Sequence, residues 1–275
     1  MAEKTKKHSL CEKKPYIAMI LGMIIPAVLV GIGGGIGDQI SPEAGYIGIC
    51  VFAVIMMLIF TRWFSLEFKG FVKTEASGRE VLIVMGLFVI LEIFTILEPL
   101  FLQRDFYFQP SFRAVLMGLA AGFGEETIFR IVTLAIVMRY ISKEKRFVPV
   151  IILAVIFGLS HAGNVTQGAD PVMTVVQVIH STFMAFLFTE MYLGTGSALF
   201  PVLAHGLHDF ICFVTDPSLS EEGIITQQYS TEQLVLEVIA AVIIGVIALC
   251  LLGKNKLSKA NEIWDKKWNS DRGEA

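Results

Sequence analysis

Two adjacent carboxylates and a guanidinium interrupt an apolar stretch of about thirty residues: Gly124-Glu125-Glu126-Thr127-Ile128-Phe129-Arg130 lies within 111–140. Each such charge costs roughly 2.5–3.5 kcal/mol at mid-bilayer even on a lenient insertion scale. A membrane chain therefore keeps it only where it faces a protein interior or a wet cavity. The rest of the chain has to supply the walls of that cavity.

The membrane itself follows from composition. Of 275 residues, 55% are hydrophobic and 17% charged, with a mean hydropathy of +0.68. That profile belongs to a polytopic membrane protein and not to a soluble domain. The expected fold is all-α, a bundle of about eight transmembrane helices with an intramembrane polar cavity. Apolar stretches long enough to cross ~30 Å of hydrocarbon fall near 16–37, 46–61, 80–102, 111–140, 147–163, 171–193, 197–215 and 233–252. They divide the chain into a basic cytoplasmic tail (1–15), a single transmembrane helical domain (16–252, with its motif core at 111–215) and a charged cytoplasmic tail (253–275). The first stretch is too long for a signal-peptide core and lacks a small-x-small cleavage site, so it reads as a retained helix. There is no internal repeat.

Lys and Arg alternate between the connections. The N-terminal tail, 62–79, 139–146 and the tail after 252 are basic. The segments 38–45, 164–170 and 216–232 carry no Lys or Arg, and 103–110 carries only Arg104. The positive-inside rule then places both termini in the cytoplasm of a plasma membrane, bacterial by expectation. Trp63 to Phe71 mixes aromatics with charge and reads as an interfacial segment. The C-terminal tail, with Trp264 and Trp268, reads as a short surface helix or a disordered end. Cys11, Cys50, Cys212 and Cys250 have no ligand spacing, and three lie in apolar runs, so buried free thiols are expected.

Helix geometry sorts the polar residues. Glu126 and Arg130, spaced i,i+4, share a face and can pair. Glu125 points about 100° away and is left free to act as a general base for water; the bland alternative is a structural ion pair with a spare acid. Measured along each helix from its expected cytoplasmic end at 1.5 Å per residue, Glu125 is about 22 Å deep, His161 about 21 Å, Asp209 about 18 Å and His205 about 12 Å. Three helices thus bring polar groups to comparable depth, at the middle of the slab or slightly beyond. His205 and Asp209, also i,i+4, can face one cavity. His208 reads as a bystander on the next face. His180, Glu190, Glu92 and Glu98 have no partner in the pattern and read as structural or cavity-edge groups. No Ser-His-Asp or Cys-His arrangement is evident, so a covalent route lacks its nucleophile. By residue type, Glu125, His161, His205 and Asp209 form a possible zinc set. A metal-free reading is preferred because Arg130 disfavours a nearby dication.

Glu-Glu-x-x-x-Arg (125–130), Phe-x-x-x-His (157–161) and His-x-x-x-Asp (205–209), in that order on successive spans, resemble the motifs of the CAAX-protease and bacteriocin-processing (CPBP, or Abi) family. These are intramembrane proteases that include the type II CAAX prenyl endopeptidases. The resemblance implies an eight-helix fold and an endopeptidase acting on a peptide or protein at the membrane, prenylated or bacteriocin-like. It implies that Glu125 and His161 activate a water, that Glu126 and Arg130 accompany them, and that His205 and Asp209 steady the oxyanion. It further implies a cavity reached from the cytoplasm. Asparagine often stands where this chain has Asp209. An aspartate donates no hydrogen bond unless protonated, so the alternative is that it orients His205 as the donor. The expected partners are membrane lipid and substrate, not nucleic acid. Two other classes stay open: a non-catalytic scaffold or bacteriocin immunity protein of the same family, and a proton-coupled transporter. The absence of an inverted repeat speaks against the transporter.

Overall fold

A computed structural model describes residues 10–63, 71–102, 105–216, 219, 224–226, 229–253 and 257–269. Every regular element among them is helical. After a short turn α1 (Leu10–Lys13), the long elements are α2 (Pro15–Asp38), α3 (Pro42–Trp63), α4 (Gly78–Phe101), a continuous rod from 112 to 140, α7 (Phe147–Ser160), α8 (Pro171–Thr195), α9 (Leu199–Thr215) and α10 (Thr231–Gly253). The rod comprises α5 (Phe112–Glu126), a π-helix (Thr127–Leu134) and α6 (Ala135–Tyr140). A final helix, α11, runs Ser258–Asn269. The expected interfacial segment at 63–71 falls largely outside the described residues.

Six of these helices are long and apolar enough to cross a bilayer on their own. The other two long elements are the 112–140 rod and α9, and these carry most of the polar motifs. Each turns some apolar residues outward, Phe112, Val115 and Leu119 on the rod and Leu203 and Leu207 on α9, but both are anchored by buried residues. All eight residues of the π segment are buried, and α9, about 25 Å long, buries Val202, Ala204, His205 and His208. Outer helices do the opposite. On α2, Ile17, Ile20, Ile24, Val28 and Ile32 are exposed at helical spacing, as a lipid-facing stripe requires.

Small residues set the closest approach. Gly118 and Gly122 of α5, spaced as in GxxxG, lie against Gly206 and Val202 of α9, where an added Cβ at either would meet backbone. Interfaces between membrane helices gain from this because packing, not hydrophobicity, drives association in lipid. The contact lies between one and two helical turns from Glu125 and directly beside His205, so it sets how near the α5 and α9 motifs come.

The end of the bundle that carries the basic connections is knitted shut. Ser197 Oγ donates to the carbonyls of Phe71 (3.1 Å) and Val72 (3.0 Å), and the Leu199 amide donates to Phe71 O at 2.9 Å. The C-terminal tail is helical, as one of the two expectations had it, but it is not a loose surface element. Trp264 is fully buried, tilted against Tyr192 at 4.8 Å, and its indole N–H donates to Leu193 O at 3.2 Å. Arg146 Nη1 donates to Asn261 Oδ1 at 2.6 Å, and Lys267 Nζ to Lys73 O at 2.6 Å. An amphipathic helix whose aromatic finds a pocket docks instead of floating.

The cysteines are free, but their burial differs from expectation. Cys11, outside the long apolar runs, is buried; Cys50 and Cys212 are half-buried; Cys250 is exposed. The last lies in an apolar run whose outer face meets lipid, and such a run does not reveal which face turns inward.

Burial pushes the Lys267 ammonium down from 10.5 to about 8, against the pull of Glu75. The unfolded chain therefore binds more protons between about pH 8 and 10.5, so stability rises with pH across that window. Docking of α11 should tighten from pH 8 to 10, read as slower proteolysis of the C-terminal helix in detergent. Lys267→Met should remove that part of the slope; an identical slope in the variant would assign it to another group.

Candidate active site

The site grows from one buried carboxylate. Glu126, with no exposed surface, sits at the last α-helical position before the π-helix. Its Oε1 accepts from Arg130 Nη1 at 2.9 Å and from His205 Nδ1 at 2.8 Å. Because a carboxylate accepts, Nδ1 of His205 carries the proton. The pairing of Glu126 with Arg130 follows the expected i,i+4 spacing; the hold on His205 was not anticipated.

Arg130 is itself enclosed. Its guanidinium lies 4.3 Å from the centroid of the Phe157 ring and 5.7 Å from that of Phe188, and Nη2 donates to Ala185 O at 3.4 Å. Contacts with ring faces compensate a cation that has left water. His205 stacks on Phe188 at 4.8 Å and meets the Phe157 edge at 5.7 Å. Phe157 serves twice, since its carbonyl accepts from His161 Nδ1 at 3.1 Å. The Phe-x-x-x-His spacing thereby acquires a structural reason: one residue supports the arginine with its ring and fixes the imidazole one turn later with its carbonyl. With Nδ1 donating, His161 presents the lone pair of Nε2.

The π-helix matters here. Thr133 Oγ1 donates to Ile128 O, five residues back, at 2.6 Å, a contact that follows the wider turn. Such turns recur at functional sites. No residue type in 127–134 announces one, and it was not anticipated.

Around this sealed tier lies an open one. A chamber of about 1100 Å³ is lined by Glu125, His161, Asp209 and the exposed edge of His205, with Phe157, Ile128 and Met184 among its apolar walls. Glu125 and Asp209 are 35% and 25% exposed in their side chains, against 0% for Glu126 and 1% for Arg130. His205 Nε2 looks into the chamber, 3.6 Å from Asp209 Oδ1 and 4.0 Å from Glu125 Oε2. Glu125 Oε2 has no hydrogen-bond partner, and Glu125 makes no hydrogen bond to His161. All six residues singled out in sequence thus gather at one place: Glu126, Arg130 and His205 as a buried chain, Glu125, His161 and Asp209 around open space.

Three expectations need correction. His208 is no bystander: its Nδ1 donates to Glu92 Oε1 at 2.8 Å, and His180 stacks against it at 5.7 Å. Glu92 accordingly does have a partner. A Cys-His arrangement also exists, since Cys212 Sγ lies 3.8 Å from His208 Nε2. The missed signal was His208-x-x-x-Cys212, one helical turn apart, which places the thiol beside the imidazole. His180, His208 and Glu98 line the same chamber, in keeping with a cavity-edge place.

As for a metal, no group of three or more His, Cys, Asp or Glu among the described residues is arranged to hold an ion. The Nδ1 atoms of His205 and His161 donate to Glu126 and to the Phe157 carbonyl, which leaves Nε2 as the available nitrogen of each.

Residues 107–211 match the family model for type II CAAX prenyl endopeptidase, Rce1-like. The match is consistent with the CPBP family, spans all three motifs and covers the α5–α9 core. No curated protein and no solved structure matches the chain.

Breaking the buried pair from one side leaves a charge without compensation, at a cost of about 3–5 kcal/mol. Arg130→Met should destabilise by that order in detergent unfolding. Adding Glu126→Gln should recover a substantial part, because the two sites share one interaction. Additive losses in the double variant would show that the pair is not coupled.

Proposed function

We propose that this chain, with its Rce1-like domain, is an intramembrane endopeptidase that hydrolyses a peptide bond presented at the membrane, without a covalent intermediate. The observation carrying this reading is that Glu125, one of whose oxygens has no hydrogen-bond partner, and His161, held at Nδ1 by the Phe157 carbonyl, line one chamber together with His205. The matched family is one of proteases, and Glu125, Glu126, Arg130, His161, His205 and Asp209 all keep polar side chains at the motif positions.

In this mechanism a water sits between Glu125 and His161. Glu125 takes its proton as the water oxygen attacks the scissile carbonyl carbon, and the carbonyl π electrons move to oxygen. His161 Nε2 accepts the second water hydrogen as a hydrogen bond and fixes the lone pair toward the carbon. The oxyanion is met by His205 Nε2–H. His205 donates from both nitrogens as an imidazolium, and Glu126 on one side and Asp209 on the other offset its charge. Asp209, unable to donate when ionised, orients and balances His205 and makes no contact with the oxyanion. Collapse of the tetrahedral intermediate expels the amine, which takes the proton from Glu125. Glu126 and Arg130 act only by holding His205, and are positioning residues.

The substrate is a peptide or protein segment, CAAX-type or bacteriocin-related by resemblance, held beside the lipid. No metal takes part in any step. Both termini lie in the cytoplasm in this reading.

A general base contributes about 10²–10⁴-fold. Glu125→Gln should lower kcat on a membrane-proximal peptide by that range and leave the unfolding temperature unchanged; full activity in the folded variant would remove Glu125 from its role. Stoichiometric zinc in active protein, with activity lost on chelation and restored by zinc, would replace this mechanism with a metal-dependent one.

A further inference from the structure

The chamber communicates with one end of the bundle. Its lining includes Asp105 and Tyr107 from the connection before α5, Asn164 and Gln167 from the 3₁₀ turn His161–Gln167, and Asp216 and Ile225 from the connection after α9. Among the described residues, none of the lining comes from 71–77, 141–146, 194–198 or α11. Those are the segments that knit the opposite end shut, through Trp264, Ser197, Arg146 and Lys267.

Basic residues divide the other way. Connections at the closed end carry Arg62, Lys69, Lys73 and Arg79, then Arg139, Lys143, Lys145 and Arg146, then Lys254, Lys256 and Lys259. At the open end, 38–45, 164–170 and 216–232 carry no Lys or Arg, 103–110 carries Arg104 alone, and Arg113 in the first turn of α5 is paired with Glu43 at 3.4 Å. Short connections rich in Lys and Arg stay in the cytoplasm.

From these two independent partitions, of chamber access and of charge, we infer that the chamber opens away from the cytoplasm and takes a cationic peptide from the outer side of the membrane. The sidedness stands on closure and loop charge alone; the peptide as occupant rests on the peptidase reading above. Glu125 and Asp209 line the chamber, Asp105 stands toward its mouth, and no Lys or Arg occurs among the described lining residues. Carboxylates between low-dielectric walls focus a negative potential that draws cations in. A prenylated tail on the cytoplasmic face would meet the closed end, so the expected cytoplasmic entry is the reverse of this one.

The full chain with its four cysteines changed to Ala is given one new thiol, Gln167→Cys at the open end or Lys145→Cys at the closed end; both positions are exposed. In intact bacterial cells a membrane-impermeant maleimide should label Gln167→Cys at once and Lys145→Cys only after permeabilisation. The opposite pattern overturns the sidedness whether or not the protein is an enzyme. If the cysteine-free chain does not accumulate, reporters fused after Ala275 of the natural chain read the α11 end: a fluorescent protein that matures only in the cytoplasm should glow, and alkaline phosphatase should be inactive. The converse overturns the proposal.

For the occupant, a nine-residue Lys-flanked peptide should slow labelling of Gln167→Cys in detergent at least tenfold more effectively than its Glu-flanked counterpart, with the difference fading in 0.5 M salt. Equal protection by both peptides would sink the cationic preference and leave the sidedness standing. Loss of cleavage activity in every assay, with the labelling pattern intact, would sink the peptidase reading and not the sidedness.

Discussion

One carboxylate organises the bundle. Glu126 is buried without any exposed surface and is shared at Oε1 by Arg130 and His205, each within 2.9 Å. Charge this deep survives only where the partners are fixed before they meet, because a loose pair regains too little Coulomb energy to offset desolvation. The surroundings supply that fixity. Arg130 lies against the Phe157 ring, His205 is stacked on Phe188, and the glycines of α5 bring α9 within reach. These are features of four different helices, and each of them is needed to hold three side chains.

The same logic explains how α9 stays in place. A 17-residue helix with two histidines and an aspartate is a poor span by itself. It is held from two sides by imidazole–carboxylate hydrogen bonds of 2.8 Å, His205 to Glu126 on α5 and His208 to Glu92 on α4. The two histidines are three residues apart, so they lie on adjoining faces about 60° apart, and two bonds to different helices fix its rotation as well as its position. With rotation fixed, Asp209 and the free edge of His205 point into the chamber. The buried bonds set orientation, and the partly exposed groups are left lining the chamber.

Much of this was legible in residue order. The span limits follow hydropathy closely, and the three motifs converge because each sits at similar depth on its helix. What stayed hidden has a common physical cause. A helical wheel tells which residues share a face, but not which helix lies opposite. Glu92 and His208 therefore looked unpartnered although they meet across 116 positions of chain. Trp264 gave no sign of its pocket beside Tyr192 for the same reason. The π-helix at 127–134 has no compositional signature, and all eight of its residues are buried. Gly118-x-x-x-Gly122 is the exception, because its spacing alone marks a close helix contact and would have paired α5 with a neighbour.

Hydrolysis inside a bilayer sets two demands that oppose each other. Water has to reach the carboxylate, yet a wet path through the whole bundle would be a leak for protons and ions. A chamber wet at one end and sealed at the other meets both. Here the seal is made by groups that do no chemistry: the Trp264 indole on Leu193 O, the Ser197 hydroxyl on the 71–72 carbonyls, and Arg146 on Asn261. Between seal and chamber stands the fully buried π segment with Arg130. Arg130 thus has a second consequence beyond pairing: with the buried π segment it places a solid, fully enclosed layer between the chamber and the closed end.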